Sequence, residues 1–421
     1  MGSTLVEKIL ARCANRPSVR AGDEIEARPD FMLAYELRGY TDALEREMAV
    51  LGRAQVSRPE RFAVFIDHRV PAKRPEDEAF HQYTRGWTAR QGISLFERKG
   101  IGHQVAIEEG YAVPGAFAIH FDGHISQLGA LGTLTMASRA LLLQAAVEEK
   151  VTLCVPPTTR LVLTGRLRPS VMARDVLHHL LAQHGPRFAA GHALEIDGPG
   201  VETLSLDALQ CICGLGEFAG AIATIVLPTP RLRAMALSLP QRLVLEPETS
   251  DPDAAYAATA EIALGDVVPM LALPPSPARI ATVQSLAGTP LDAGYLGSCA
   301  SGRLEDLQAA ATILAGQQLP PGFSLHVVPT SQRIMVQAAA DGTLAALAAA
   351  GAFISSPSCD FCSGNIATLA PHQNAISTGT LNVPGRMGAV DANIYLASAA
   401  TLAASALHGK IVDPRGQRSS H

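Results

Sequence analysis

Aromatic residues make up only 5% of this chain and charged residues only 17%, so neither a stacking platform nor a dense charged surface is at hand. Thirty-four Lys+Arg against 39 Asp+Glu give a formal net charge of -5, and no long basic run occurs. The electrostatic footprint of a nucleic-acid binder is therefore missing, and no nucleic acid is expected as a partner. No apolar run approaches the roughly 18 residues of a membrane span, so no membrane is expected either. The longest, such as 344–354, fit buried helices. The opening apolar pattern of Leu5, Ile9 and Leu10 is broken by Glu7 and Lys8, unlike a signal peptide, and position 6 lacks the Ser or Thr of a myristoylation site. Cysteine is scarce and odd in number, at seven. That is a poor disulfide framework and suits a reducing cytoplasm. Cys13, Cys154, Cys211 and Cys213 stand in apolar or helical surroundings and read as ordinary buried residues.

The remaining three cysteines form a pattern. Gly297-Ser298-Cys299-Ala300-Ser301-Gly302-Arg303-Leu304-Glu305-Asp306 is answered by Cys359-Asp360-Phe361-Cys362 in a Ser/Pro/Gly-flanked turn. Three soft sulfur ligands suit an iron-sulfur cluster with one iron lacking a protein thiolate. Ser301 or Gly302 reads as the cap of a helix continued by Leu307, Ala310, Ala311 and Leu314, with Cys299 just ahead of its N-terminus, where a thiolate is favoured. Arg303, Glu305 and Asp306 read as a helix-start ion pair.

At 421 residues and 48% apolar content the chain is long enough for several cores. Helical spacing covers 4–13, and an acidic, turn-rich stretch follows over 20–30. The apolar run 62–66 predicts a strand delivering Asp67-His68 at its C-terminal end, where sites collect in open α/β sheets. A polar helix is expected over 76–90, then Gly102-His103-Gln104, then a strand over 116–121 delivering Asp122-Gly123-His124. Further expectations are a helix over 129–149, a strand opening at 160–165, a helix over 170–183 and a long buried helix over 205–226. Glu217 within that last helix needs a partner. The Pro- and Ala-rich stretch 228–277 reads as an acidic loop or linker, and strand and helix patterns alternate again from 280. The expected class is α/β with parallel sheets, in lobes 1–157, 158–265 and 266–421.

Taken together, Gly-Ser-Cys-x-x-Gly-Arg-x-Glu-Asp-Leu and Cys-x-x-Cys-x-Gly, preceded by Asp-His-x-x-Pro, Gly-Ile-x-His-Gln and Asp-x-His, resemble the aconitase superfamily. The chain is most similar to the large subunits of isopropylmalate dehydratase and homoaconitase, from about residue 4 to Ile411-Val412-Asp413-Pro414. The resemblance implies three aconitase-like α/β/α lobes around a 4Fe-4S cluster. The swivelling fourth domain, which supplies a serine base in that family, is then a separate small subunit. It implies Cys299, Cys359 and Cys362 as cluster ligands, and Asp67, His68, His103, Asp122, His124 and Glu217 as the acid/base shell. Arg386, Ser301 and Leu381 stand at substrate-binding positions. The implied activity is that of a cytoplasmic hydro-lyase, a dehydratase or isomerase acting on a small hydroxy carboxylic acid. Its hydroxyl and carboxylate would bind the open iron.

The departures from the family pattern point to a changed site. Gly123 stands where the family has Ser, Leu381 where it has Arg, and Gly214 where it has Asn. The family's glutamate position falls on Phe218, with Glu217 one residue early, which on an α-helix is a rotation of about 100°. Leu for Arg favours a substrate with one carboxylate fewer, or an apolar group there. The alternatives are an aconitase-fold protein with a changed or lost reaction, or a Cys-based metal, redox or regulatory binding protein, such as a zinc site completed by His372.

Overall fold

The computed structural model describes residues 2–246 and 248–416. They form three large sheets and one small one. In the first sheet the order is Ser94–Glu97, Phe62–Ile66, Phe31–Tyr35, Phe117–His120, Leu134–Ala137, all parallel. The chain enters at Phe31–Tyr35, adds Phe62–Ile66 and Ser94–Glu97 on one side, then Phe117–His120 and Leu134–Ala137 on the other. Phe31–Tyr35 therefore borders a topological switch point, where crossovers leave in opposite directions and open a crevice at the C-terminal strand ends. Phe62–Ile66 is buried along its whole length, as a parallel strand covered on both faces must be.

The second sheet, also parallel, runs Ala223–Val226, Ala193–Asp197, Thr158–Thr164, Ala258–Ala263. The third has seven strands, with Ala293–Leu296 between Asn374–Ser377 and Ser324–Val327 in a parallel core. Antiparallel partners are confined to the edge formed by Met270–Ala272 and Ile280–Thr282. Glu24–Ala27 and Val151–Cys154 make a separate antiparallel pair. The alternation in that pair leaves Cys154 exposed, whereas Cys13, Cys211 and Cys213 are buried as expected.

Four sequence expectations are corrected. The segment 129–149 is not one helix. It holds the end of a 3-10 turn, Gly123–Leu131, then strand Leu134–Ala137 and helix Arg139–Glu148. Gly132, in the left-handed region at φ 79°, ends the turn and lets the next residues pair with Phe117–His120. The segment 205–226 splits likewise into helix Leu206–Leu215, 3-10 turn Gly216–Ala219 and strand Ala223–Val226. A continuous apolar run fits a buried strand as well as a buried helix. The expected linker 228–277 contains helix Pro230–Ser238, capped by Thr229, and two strands, Ala258–Ala263 and Met270–Ala272. Similarly, 344–354 divides between helix Thr343–Ala349 and edge strand Phe353–Ile354.

The sheets are tied at their C-terminal ends. Cys359 N donates to Asp67 O at 2.7 Å and Val70 N to Asp360 Oδ2 at 3.2 Å, joining the first sheet to the third. The buried Asp175 carboxylate accepts from the backbone N of Met172 and of Met270, while burial pushes its pKa up to about 7.

Candidate functional site

Three neighbouring strands of the first sheet each end in polar side chains. Phe31–Tyr35 delivers Tyr35 and Glu36, Phe62–Ile66 delivers Asp67 and His68, and Phe117–His120 delivers His120, Asp122 and His124. Glu36 is buried and its two oxygens accept from the backbone N of Asp67 at 2.8 Å and of His68 at 2.9 Å. It thus clamps the turn that aims both side chains. Burial pushes its pKa up to about 7, offset in part by His81 and His68. Asp67 Oδ2 in turn accepts from Gly102 N at 2.7 Å, which seats the helix Gly102–Glu108 and with it His103. Asp67 Oδ1 lies 2.7 Å from His68 Nδ1. Burial works against a charge on His68, but the neighbouring Asp67 outweighs it and raises the pKa to about 9.

His103 is buried with neither ring nitrogen hydrogen-bonded, and burial, against the pull of Asp122, lowers its pKa. Burial likewise holds His120 neutral, down to about 3, and its Nδ1 accepts from Asp122 N at 2.8 Å. Tyr35 OH donates to Asp122 Oδ2 at 2.9 Å, and the Tyr35 ring packs on His68, His103 and His120 at centroid distances of 4.7, 6.1 and 5.2 Å.

His124 is held from both sides. Its Nδ1 lies 3.0 Å from Asp122 Oδ1, which also accepts from the His124 backbone N. Its Nε2 lies 3.2 Å from Glu217 Oε1, an ion-pair approach whose angle leaves the hydrogen bond unformed. Burial opposes a charge on His124, yet the bond and charge of Asp122, with Glu217 behind, raise its pKa. Burial raises Glu217, and His124 pulls it back in part. Glu217 reaches this place because the helix ends at Leu215 and the chain tightens into a 3-10 turn, with about 120° rather than 100° between residues. Phe218, at the position where the family glutamate was expected, instead sets its ring edge-on to His124 at 6.2 Å.

Gly123 completes the arrangement. Its φ is not in the left-handed region, so the backbone does not demand glycine. A Cβ there would overlap Glu217 Oε2, so glycine at 123 makes room for the carboxylate.

Opposite these groups stand the loops that follow two strands of the third sheet. Gly297 N donates to Thr378 Oγ1 at 2.8 Å and Ser298 Oγ to Thr378 O at 2.9 Å, coupling the Cys299 loop to the loop carrying Thr380 and Leu381. A cavity of about 340 Å³ lies between, bounded by Tyr35, His68, His103, Asp122 and His124 on one side. Cys299, Cys359, Cys362, Leu381 and Arg386 bound it on the other. Of the expected site residues, all but Ser301 and two carboxylates line this cavity. Asp67 stands behind His68, Glu217 stands behind His124, and Ser301 lines a separate, nearly filled cavity with Arg174 and Asp306.

The expectation of a 4Fe-4S cluster is corrected. Among the described residues, the metal-type ligand atoms that gather within 4.8 Å of one another belong to Glu36, Asp67 and His68. They are oxygen and nitrogen donors, and no cysteine is in the group, whereas a cubane is held by thiolates. Burial, helped by neighbouring groups, pushes the Cys299 and Cys359 thiols well above their usual range, so desolvation overrides the thiolate-favouring helix start expected for Cys299. His372, the expected fourth ligand of a zinc reading, is 86% exposed and pairs with Asp391 at 2.8 Å.

The helix-start ion pair is also corrected. The N-cap is Arg303, not Ser301 or Gly302, and Asp306 Oδ2 reaches back to its backbone N at 3.3 Å. The Arg303 guanidinium, fully buried, turns away to Gln104 Oε1 at 3.3 Å, Gln210 Oε1 at 2.5 Å, Gln127 Oε1 at 2.5 Å and Cys299 O at 2.7 Å. Sequence reasoning missed Tyr35 and Glu36. The signal was present: Phe-Met-Leu-Ala-Tyr ending in Glu repeats the pattern of an apolar run ending in Asp at 67.

Parallel sheets whose C-terminal strand ends converge on a cavity lined by histidines, cysteines, the Asp122 carboxylate and the Arg386 guanidinium define an α/β scaffold with its polar site at the sheet edges. The family model for the aconitase family (aconitate hydratase) matches residues 7–290 and 281–409, and the chain belongs to that family. It is 34% identical over 421 residues to the 3-isopropylmalate dehydratase large subunit 1 of Methanopyrus kandleri, covering 99% of each chain. It is 36% identical over 420 residues to the homoaconitase large subunit of Thermus thermophilus, covering 98% of each. Among solved structures, aconitase X of Thermococcus kodakaraensis in its holo-form shares the fold, with a TM-score of 0.50, 13% identity and 89% of each chain covered. No helix among the described residues is long and apolar enough to cross a membrane.

Proposed function

We propose that this chain is the large subunit of an aconitase-family protein with a changed active site, which adds or removes water on a small hydroxy carboxylic acid by acid–base chemistry. The observation that carries the reading is His124 set between Asp122 and Glu217 at a cavity that Arg386 closes. Kinship to proteins named as dehydratase and homoaconitase large subunits supports both the reaction class and a separate small subunit as partner. Leu381, Gly123 and Phe218 argue that the reaction has moved away from that of those relatives.

In the dehydration direction the substrate carboxylate pairs with Arg386, whose planar fork matches both oxygens. A base of the small subunit takes the proton from the carbon beside that carboxylate, and the charge that develops spreads onto the carboxylate under the guanidinium. His124, in its imidazolium form between Asp122 and Glu217, gives a proton to the departing hydroxyl, which leaves as water as the carbon–carbon double bond forms. Asp122 and Glu217 stabilise the imidazolium before transfer and receive the ring in one orientation after it. Hydration runs through the same groups in reverse.

The test is the full chain mixed with small subunits of aconitase-family relatives and a panel of hydroxy acids, read by the ultraviolet absorbance of a double bond conjugated to a carboxylate. Turnover is expected, and His124→Gln is expected to lower it by about 10²- to 10⁴-fold. No turnover with any acid and any small subunit refutes the reading.

A further inference from the structure

A second cavity, of about 410 Å³, shares no lining residue with the Arg386 cavity. Its volume falls in the range of about 300–1,000 Å³ usual for small-molecule sites. One chain segment divides the two. It presents His68 and Arg69 to the Arg386 cavity, and Ile66, Val70, Pro71 and Ala72 to the second. These four, with the buried Pro357 from the loop after Phe353–Ile354, give the second cavity an apolar wall. The same place is a seam between sheets. Ile101 N donates to Thr330 O at 2.8 Å and Gln332 N to Lys99 O at 2.7 Å, an antiparallel bridge centred on Gly100 and Ser331. Gly100, at φ 116°, allows that approach, since a Cβ there would lie 2.5 Å from Ser331 Cα.

The charged groups around this cavity leave one cation over. Arg85 engages both carboxylates, with Nε 2.7 Å from Glu97 Oε2 and Nη1 2.9 Å from Glu78 Oε1. His81 Nε2 donates to His68 O at 3.0 Å. Arg98 has no hydrogen bond or ion pair among the described residues. Its φ of 60° is uncommon for a non-glycine residue. The backbone there is fixed on both sides, by the pairing of Glu97 with Ile66 and by the bond from Gln332 N to Lys99 O.

We propose that this cavity is a second ligand site, for a monocarboxylate bearing a short apolar chain. The carboxylate pairs with Arg98, whose fork matches both oxygens, and the chain lies along Ile66, Val70, Ala72 and Pro357. A dianion is disfavoured because Glu78 and Glu97 line the same cavity as the single free guanidinium. Through His81, which borders the cavity and donates to His68 O, the occupant adjoins the backbone that aims His68 without entering the Arg386 cavity.

Calorimetric titration of the full chain with hexanoate, hexanol and propionate tests the site without requiring turnover. Hexanoate is expected to bind about 10-fold more tightly than hexanol, the difference of one charged hydrogen-bonding pair. It is expected to exceed propionate by about 3- to 4-fold for each added methylene. Arg98→Asn, a residue that accepts left-handed φ, is expected to bring hexanoate down to the level of hexanol. Ala72→Trp, which fills the cavity, is expected to abolish hexanoate binding, and Arg386→Gln to leave it unchanged. No hexanoate binding by the unaltered chain, equal affinity for hexanoate and hexanol, or no gain with chain length overturns the proposal. So does a preference retained in Arg98→Asn or binding retained in Ala72→Trp. Binding lost in Arg386→Gln places the acid in the other cavity and overturns it as well.

Discussion

Replacing Gly123 by serine is expected to lower turnover about as far as Glu217→Gln does, by roughly 10²- to 10³-fold. The side chain of serine is small and its position lies in an ordinary backbone region, so neither helix propensity nor strain is at issue. What serine meets is the Glu217 carboxylate, which occupies the space of the added Cβ. Glu217 must then withdraw, and His124 loses the partner at its Nε2 while keeping Asp122 at Nδ1. With Glu217 withdrawn, one of the groups that raise the His124 pKa against burial is lost, and the imidazolium is less favoured. Because both substitutions act through the same contact, the double variant is expected to be no worse than either single one. Full multiplicative loss in the double variant, measured as kcat/KM, means that Gly123 and Glu217 act separately and that the contact is incidental.

The second large effect is on stability. Arg303→Leu is expected to destabilise the fold by about 3 kcal/mol or more, read from the midpoint and slope of urea unfolding. The guanidinium is completely buried and no carboxylate is hydrogen-bonded to it, so its charge is spread over four neutral oxygens. Those oxygens belong to Gln104, Gln127, Gln210 and Cys299, which come from the helix Gly102–Glu108, the turn Gly123–Leu131, the helix Leu206–Leu215 and the cysteine loop. One side chain thus draws together segments that follow strands of the first and third sheets and a helix serving the second. Leucine removes the donors and strands four buried acceptors, which outweighs the relief of no longer burying a charge. Gly214 belongs to the same design. A Cβ there would lie 2.6 Å from Gln127 Cγ, so glycine at 214 lets Gln127 reach Arg303. A loss within about 0.5 kcal/mol would show that water replaces the guanidinium at no cost.

Residues whose pattern is local were legible in the chain. The strand Phe62–Ile66 and the acid-histidine pair after it follow from a bounded apolar run with a polar end, and the strand Phe117–His120 with Asp122 and His124 repeats it. The apolar-rich stretches were not legible. In 129–149 and 205–226 helix and strand segments follow each other with no change in composition, and only glycines with positive φ at 132 and 220 mark the joins. Glu217 was legible as a residue needing a partner but not as a neighbour of His124, because the tightening of the chain after Leu215 is set by packing. The cluster was read from the spacing of three cysteines in their motifs and from the family resemblance those motifs carry. The burial that raises the pKa of the Cys299 and Cys359 thiols, and the gathering of Glu36, Asp67 and His68, arise only from the folded arrangement.

Isotope exchange at the departing hydroxyl is the most direct measurement on the proton that His124 carries. The full chain with its small subunit is incubated with its hydroxy acid in D₂O, and the recovered acid is analysed by mass spectrometry. Deuterium is expected at the carbon beside the carboxylate and oxygen exchange at the hydroxyl position when labelled water is used, with the oxygen exchange slowed in His124→Gln. Oxygen exchange that proceeds undiminished in His124→Gln would contradict a proton carried by His124 to and from the departing hydroxyl.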